Sequence, residues 1–267
     1  MRRSVLLVWA WMVMPVAFAA DRVQERPVTL QLDVNTAGQV TAAKVMDPVP
    51  VVEATSDGRL VPEGPSYLPL PEALARTVEQ ATLKWRFRPL RIAGIAVTGR
   101  TWARGTLQFV EHGDGHVDVA LRYGSNGPFM RQPVAVTYPV PMMRQDVTGV
   151  LAVEYVVEPD GSIDQIRVLK AFGKAAEHKE AFEQAIRQAL RASRSLPLLV
   201  DGNAVATRMR VPYVFSMEDG ASDFDNTRLL KRAWHAIHRD PPDSRSVSAS
   251  APAEAVAVDS PFVLPPG

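Results

Sequence analysis

Histidine and aspartate crowd together at two places, His112-Gly113-Asp114-Gly115-His116 and His235 with His238. Imidazole beside carboxylate at such spacing is a donor set for zinc or copper. The first group lies in a glycine-rich connecting stretch and the second is an i, i+3 pair on a helix surface, so both read as solvated side chains, and no metal is expected. No Gly-x-Ser-x-Gly elbow, phosphate-binding loop or His-Glu-x-x-His helix occurs, so the expectation is no catalytic residue, no cofactor and no enzyme activity. Asp57 and Asp160 each precede glycine and read as turn residues. Recognition of a partner is the chemistry left. Its charged candidates are Arg208 and Arg210, which alternate with Met209, Val211 and Tyr213 in NAVATRMRVPYVFSM.

The elements that must position those arginines span residues 138–217. In GVLAVEYVVEPDGSIDQIRVLKA, residues 149–171, Leu151, Val153, Tyr155 and Val157 alternate with other residues up to Pro159-Asp160-Gly161, after which Ile163, Ile166 and Val168 resume the apolar series. Period-2 alternation broken by Asp-Gly predicts a β-hairpin with one buried face. The three-residue step from Ile163 to Ile166 predicts a bulge early in the second strand. Phe182, Ile186 and Leu190 then recur at helical spacing among charges, predicting an amphipathic helix. A closing strand, Thr207 to Ser216, completes a β-β-α-β unit.

Tyr138-Pro139, Gly149 eleven residues on, the alternating strand, Asp160-Gly161, the helix and the closing Val-Pro-Tyr-Val-Phe resemble the C-terminal domain of the TonB family. The resemblance implies a periplasmic domain that pairs with an outer-membrane receptor by strand addition. The family's Trp after the helix is replaced here by Ser193, so that part of the core must pack differently.

Residues 28–110 repeat the pattern. Val28, Leu30, Leu32, Val34, Gly38, Val40, Ala43 and Val45 match Leu151 through Val168 at an offset of 123, and Glu72 through Val97 match Glu180 through Val205 at an offset of 108. The first copy thus carries fifteen extra residues, which fall in the Pro- and Gly-rich stretch VPVVEATSDGRLVPEGPSYLPLP and predict a surface loop. Trp85-Arg86-Phe87-Arg88-Pro89 resembles the family's Trp-x-Phe-x-Pro, with Trp85 filling the space between helix and third strand. The expected fold class is α+β, two tandem small β-β-α-β domains, each a helix packed on an antiparallel sheet. Gly94 and Gly202 are expected at the turns into the third strands.

The expected organisation is a signal peptide over 1–20, a first domain over 21–111, a linker over 112–137, a second domain over 138–217, and a short helix with a disordered tail over 218–267. Arg2 and Arg3, an apolar run and Ala17-Phe18-Ala19 compose the signal. At about sixteen residues the run is short of the roughly twenty that span a bilayer. A membrane contact is expected only if this segment is retained. Within the linker, His116 to Tyr123 is expected as a strand extending the first sheet, and Gly124 to Pro133 as a loop. Leu229, Leu230, Ala233, Trp234 and Ile237 are expected on the inner face of the last helix. From Asp240 on, Pro, Ser, Ala and Val with few charges predict disorder. The chain has no cysteine, so packing alone must hold it. Without Arg2 and Arg3 it carries 28 basic against 29 acidic residues, which gives no sign of a nucleic-acid partner.

Chain order leaves Thr207 to Ser216 at a sheet edge, where Pro212 is tolerated and unpaired N–H and C=O groups can receive an extended peptide. Arg208, Arg210, Tyr213 and Val214 are the expected partner-binding residues, with an outer-membrane receptor or another envelope protein as partner. Two alternatives stay open for the arginines: they flank this edge, or they solvate the open face of a two-layer sheet. The alternative functions are a non-transducing periplasmic scaffold or interaction module, or an anchored energy transducer if the N-terminal segment is retained.

Overall fold

The structure is a computed structural model that describes residues 22–49, 52–54, 60–62, 69–112, 116–216, 223–237, 256–257 and 260–264. The expected signal peptide, Asp57 and His238 lie outside the described residues.

The first unit begins with the hairpin β1 (Arg22–Val34) and β2 (Val40–Val45). The predicted loop contains two short paired strands, β3 (Val52–Ala54) and β4 (Leu60–Pro62). Helix α1 (Glu72–Thr82) lies on β2, and a small hairpin, β5 (Leu90–Ile92) and β6 (Ile95–Val97), leads into β7 (Gly99–Glu111), which pairs with β1. The expected strand extending this sheet is β8 (Val117–Gly127), paired with β7. Gly124 to Pro133 is not a loop: β8 continues to Gly127, and β9 (Phe129–Gln132) follows.

After the short helix α2 (Val140–Arg144), the second unit repeats this order. Strands β10 (Gly149–Val157) and β11 (Ile163–Gly173) form the hairpin, α3 (Lys179–Ala192) packs on β11, and β15 (Thr207–Phe215) pairs with β10. Between α3 and β15 run β12 (Arg194–Leu196), β13 (Leu198–Val200) and β14 (Asn203–Val205). The expected bulge sits at Gln165, which has φ +52° where the register steps between Glu154↔Arg167 and Val156↔Asp164.

The two units agree in register as well as in order. Leu30 faces Val45 on one side and Ala103 on the other; Val153, 123 positions on, faces Val168 and Val211. The hairpin turns agree too. Gly38 (φ +78°) accepts a hydrogen bond from the Phe87 N–H at 2.7 Å, and Gly161 (φ +81°) accepts one from the Ser195 N–H at 2.9 Å. A Cβ would stand 2.0 Å from the Phe87 carbonyl oxygen at the first and 2.1 Å from the Ser195 carbonyl oxygen at the second, so both turns need glycine for space as well as for φ. Gly94 and Gly202 do mark the turns before the third strands, each preceded by a second positive φ at Ala93 and Asp201, the backbone of a two-residue primed turn.

The units are joined by strand pairing. β13 adds to the outer side of β7 at Gly99 and Arg100, placing Leu198 and Val200 in the first core, and β12 pairs with β9. A Cβ at Gly99 would lie 2.9 Å from the Leu199 carbonyl oxygen, so glycine there permits the approach.

The second sheet has a helix on each face. Leu151, Val153, Tyr155 and Val157 pack with Phe182, Ile186 and Leu190 of α3. On the opposite face Val150 and Ala152 pack with Ala233 and Ile237 of α4 (Asp223–Ile237), with Leu229, Leu230 and Trp234 alongside, which is the inner face expected of that helix. All nine residues of β10 are buried in consequence. The expectation of an open outer face is corrected here: α4 covers it.

Disorder from Asp240 on is also corrected for the residues described. Val256–Ala257 forms β16 on β15, and Phe262 is 2 % exposed in the first core, where strand pairing and hydrogen bonds to Asn126 and Arg88 add to the burial of the ring in offsetting the cost of ordering the segment.

Candidate functional site

β15 is held along its inner side by β10 from Gly149↔Phe215 to Val157↔Thr207. On its outer side β16 pairs at Met209 and Arg210. The expected edge is therefore partly occupied by the chain's own C-terminal residues. Pro212 is buried opposite Ala152.

The four expected partner-binding residues separate into different roles. Arg210 is turned inward: its Nε donates to Glu154 Oε2 at 2.8 Å and its Nη1 donates to the Ile237 carbonyl at 2.9 Å, satisfying an orphan acceptor at the last turn of α4. Arg208 is half exposed with its Nε 3.7 Å from Glu154 Oε1. Tyr213 is half-buried against the second core. Val214 is 41 % exposed. The alternative that the arginines solvate an open face is corrected for Arg210, which stands beneath α4, while Arg208 remains half exposed.

The residue that organises this part of the sheet is Glu154, which the sequence pattern hides as one more outward position of an alternating strand. It is 4 % exposed and also accepts Arg167 Nε at 2.9 Å and Nη2 at 2.6 Å. Burial by itself would raise its pKa, but hydrogen bonds from Arg210 and Arg167 outweigh that, and the carboxyl is held below its ordinary value. A glutamate inside an apolar strand, with arginines on both neighbouring strands, is the signal that could have found it.

Beyond β16, the end of β15 borders a groove of about 430 Å³ whose walls include Met130, Val134, Ser193, Tyr213, Val214 and Phe215. Ser193 stands where Trp85 stands in the first unit, 108 positions earlier. Trp85 packs edge-on to Tyr123 with ring centroids 5.4 Å apart. Ser193 is buried too, but its small side chain accepts the Val134 N–H at 2.9 Å and donates to the Ala189 carbonyl at 2.9 Å. The loss of an indole's volume at this position leaves an apolar groove beside the strand end. Below it, Tyr138, Phe182 and Phe215 form an aromatic cluster with centroids 4.5 to 5.8 Å apart.

At the other chemical candidate, His112 and His116 each place Nε2 against Asp118, at 2.9 and 3.1 Å. Asp114 and His238 lie outside the described residues, and among the described residues no group of three or more His, Cys, Asp or Glu side chains is arranged to hold a metal ion.

Residues 134–217 match the family described as Gram-negative bacterial TonB protein C-terminal. The matched segment contains the whole second unit, from the linker residue that binds Ser193 to the end of β15. No curated protein matches the chain.

Proposed function

We propose that this protein is a periplasmic, TonB-like adaptor that takes an extended segment of an outer-membrane receptor onto the outer side of β15 by strand addition. The observation that carries the reading is the end of that strand: Val214 is exposed beside an apolar groove, within a segment matched to the TonB C-terminal family. Backbone groups on the strand supply affinity, and the groove selects an apolar side chain of the incoming peptide. Val214 and Tyr213 are the contact residues, Arg208 stands at the rim, and Arg210 acts within the fold. The first unit is a second copy of the same domain, a reading supported by the shared register and the paired glycines at 38 and 161.

The test exploits the absence of cysteine. A Val214→Cys chain should form a disulfide with an outer-membrane receptor carrying a cysteine in its periplasm-facing terminal segment, while Glu180→Cys, exposed on α3, should not. Equal cross-linking at both positions, or none at Val214, sinks the reading.

A second reading, a scaffold without energy transduction, is favoured by the way β13 and β9 tie the units together. Among the described residues no helix is long and apolar enough to cross a membrane. Sequencing the N-terminus of the exported protein discriminates: a start at Ala20 or Asp21 favours the scaffold, and a retained Met1 favours a transducer.

A further inference from the structure

The C-terminal residues touch the molecule at two separated places. Val256 and Ala257 pair with Arg210 and Met209 of β15. By the offset of 108, Met209 and Arg210 correspond to Thr101 and Trp102, and Trp102 pairs with Gly127, the last residue of β8. β16 thus takes the same outer side of the second sheet that β8 takes on the first, next to the place where β8 ends.

Three residues further on, the chain enters the first unit. The Phe262 ring lies edge-on to Phe87 with centroids 6.1 Å apart, and its Cζ is so near Gly99 that a Cβ there would be 2.6 Å away. The Phe262 carbonyl accepts Asn126 Nδ2 at 2.9 Å, the Ser260 hydroxyl donates to Asn126 Oδ1 at 2.6 Å, and the Val263 carbonyl accepts the Arg88 N–H at 2.8 Å. Asn126 is only 8 % exposed, and both ends of its amide are met by the tail. Without the tail Nδ2 keeps the Tyr123 hydroxyl but Oδ1 loses its partner, and a buried acceptor left unpaired is costly, so Phe87, Gly99 and Asn126 form a socket fitted to a Ser-x-Phe-Val segment, with steric fit at the ring and hydrogen bonds to the backbone and the serine hydroxyl.

We propose that residues 256–257 and 260–263 are a ligand bound in cis: Phe262, seated in the first unit, holds β16 on the outer side of β15, and an extended peptide of the same Ser-x-Phe-Val pattern exchanges with it. The socket and the exchange stand on their own geometry; only the consequence, that release of the tail frees β15 for a receptor, rests on the docking reading above. Tethering gives the tail an effective concentration on the order of millimolar, so a free peptide competes poorly until the tail is weakened.

The probe is a fluorescent synthetic peptide of residues 254–264, titrated into the full chain and followed by anisotropy. The Phe262→Ala chain should bind it at least tenfold more tightly than the unsubstituted chain, and a peptide in which that phenylalanine is alanine should bind neither. Ser260→Ala, a partly exposed position that leaves the core intact, should give a smaller gain, about threefold, and decides the matter alone if Phe262→Ala does not fold. Equal binding by the unsubstituted chain and the folded variants, or no binding by any of them, overturns the proposal. Receptor cross-linking at Val214→Cys, repeated with Phe262→Ala added, separates the two readings: peptide uptake without a rise in cross-linking leaves the socket standing and removes the claim that the tail covers the docking edge, whereas no cross-linking in either chain removes the docking edge itself.

Discussion

Arg210 reaches Glu154 across the β10–β15 pair at 2.8 Å and, with its other nitrogen, holds the last carbonyl of α4. One guanidinium therefore links the sheet to the helix that covers it. Glu154 is shared with Arg167 and approached by Arg208, so a single buried carboxylate anchors cations from both neighbouring strands.

Glu154→Gln should destabilise the protein by roughly 2 to 3 kcal/mol, less than the loss expected from a fully enclosed pair because Arg167 and Arg208 reach water. The folded-state pKa of Glu154 lies below its unfolded value, so the carboxylate's contribution is complete above the unfolded pKa, about 4.3, and is lost as pH falls through the folded value. Chemical denaturation of both proteins from pH 7 to pH 3 should show the difference between them shrinking only at the acid end. A constant difference across that range rejects the assignment.

Arg210→Glu would set a second carboxylate against Glu154 beneath α4 and should lower the melting temperature by several degrees, while Arg208→Glu at the rim should lower it less. Thermal scans of the two single variants, compared with their receptor capture, tell a folding effect from a docking effect.

Phe182 is fully buried between Tyr138 and Phe215. Phe182→Ala should cost about 3 to 5 kcal/mol in a denaturant titration. A change under about 1 would mean that the α3 face does not pack as described.

The four turn glycines should fall into two pairs. At Gly94 and Gly202 a Cβ meets nothing within 4 Å, so alanine pays only for its positive φ, about 1 kcal/mol. At Gly38 and Gly161 the Cβ also strikes a carbonyl oxygen, and alanine should cost more than about 2 kcal/mol. Similar losses at Gly38 and Gly161, measured in one denaturation series, follow from the shared register. Four equal losses contradict it.

Burial pushes the Tyr155 phenol up to about 12, with the positive charge of Arg104 acting the other way. Its folded pKa exceeds the unfolded value near 10, so its contribution is complete below pH 10 and is lost as pH rises through 12. Melting temperatures between pH 9 and 12 should fall less steeply for Tyr155→Phe than for the unsubstituted chain.

The amino-acid pattern alone determined the local elements of both units. Alternation in residues 149–157, the Asp160-Gly161 turn, the spacing of Phe182, Ile186 and Leu190, and the glycines before each third strand all act within a few residues, where periodicity and backbone preference decide. The two offsets also carried the register correspondence, because residues at matching places in a hairpin meet matching partners. Only the tertiary structure decided which surfaces remain available. Glu154 and Arg210 are 56 positions apart, and Asn126 and Phe262 are 136 apart. No local periodicity links such positions. The even-numbered residues of β10 looked solvent-facing until α4 covered them, and the tail's composition predicted disorder until Phe262 found a socket in the other unit. Burial of an outward face and seating of a lone aromatic depend on what distant parts of the chain bring to it, and that is settled by packing.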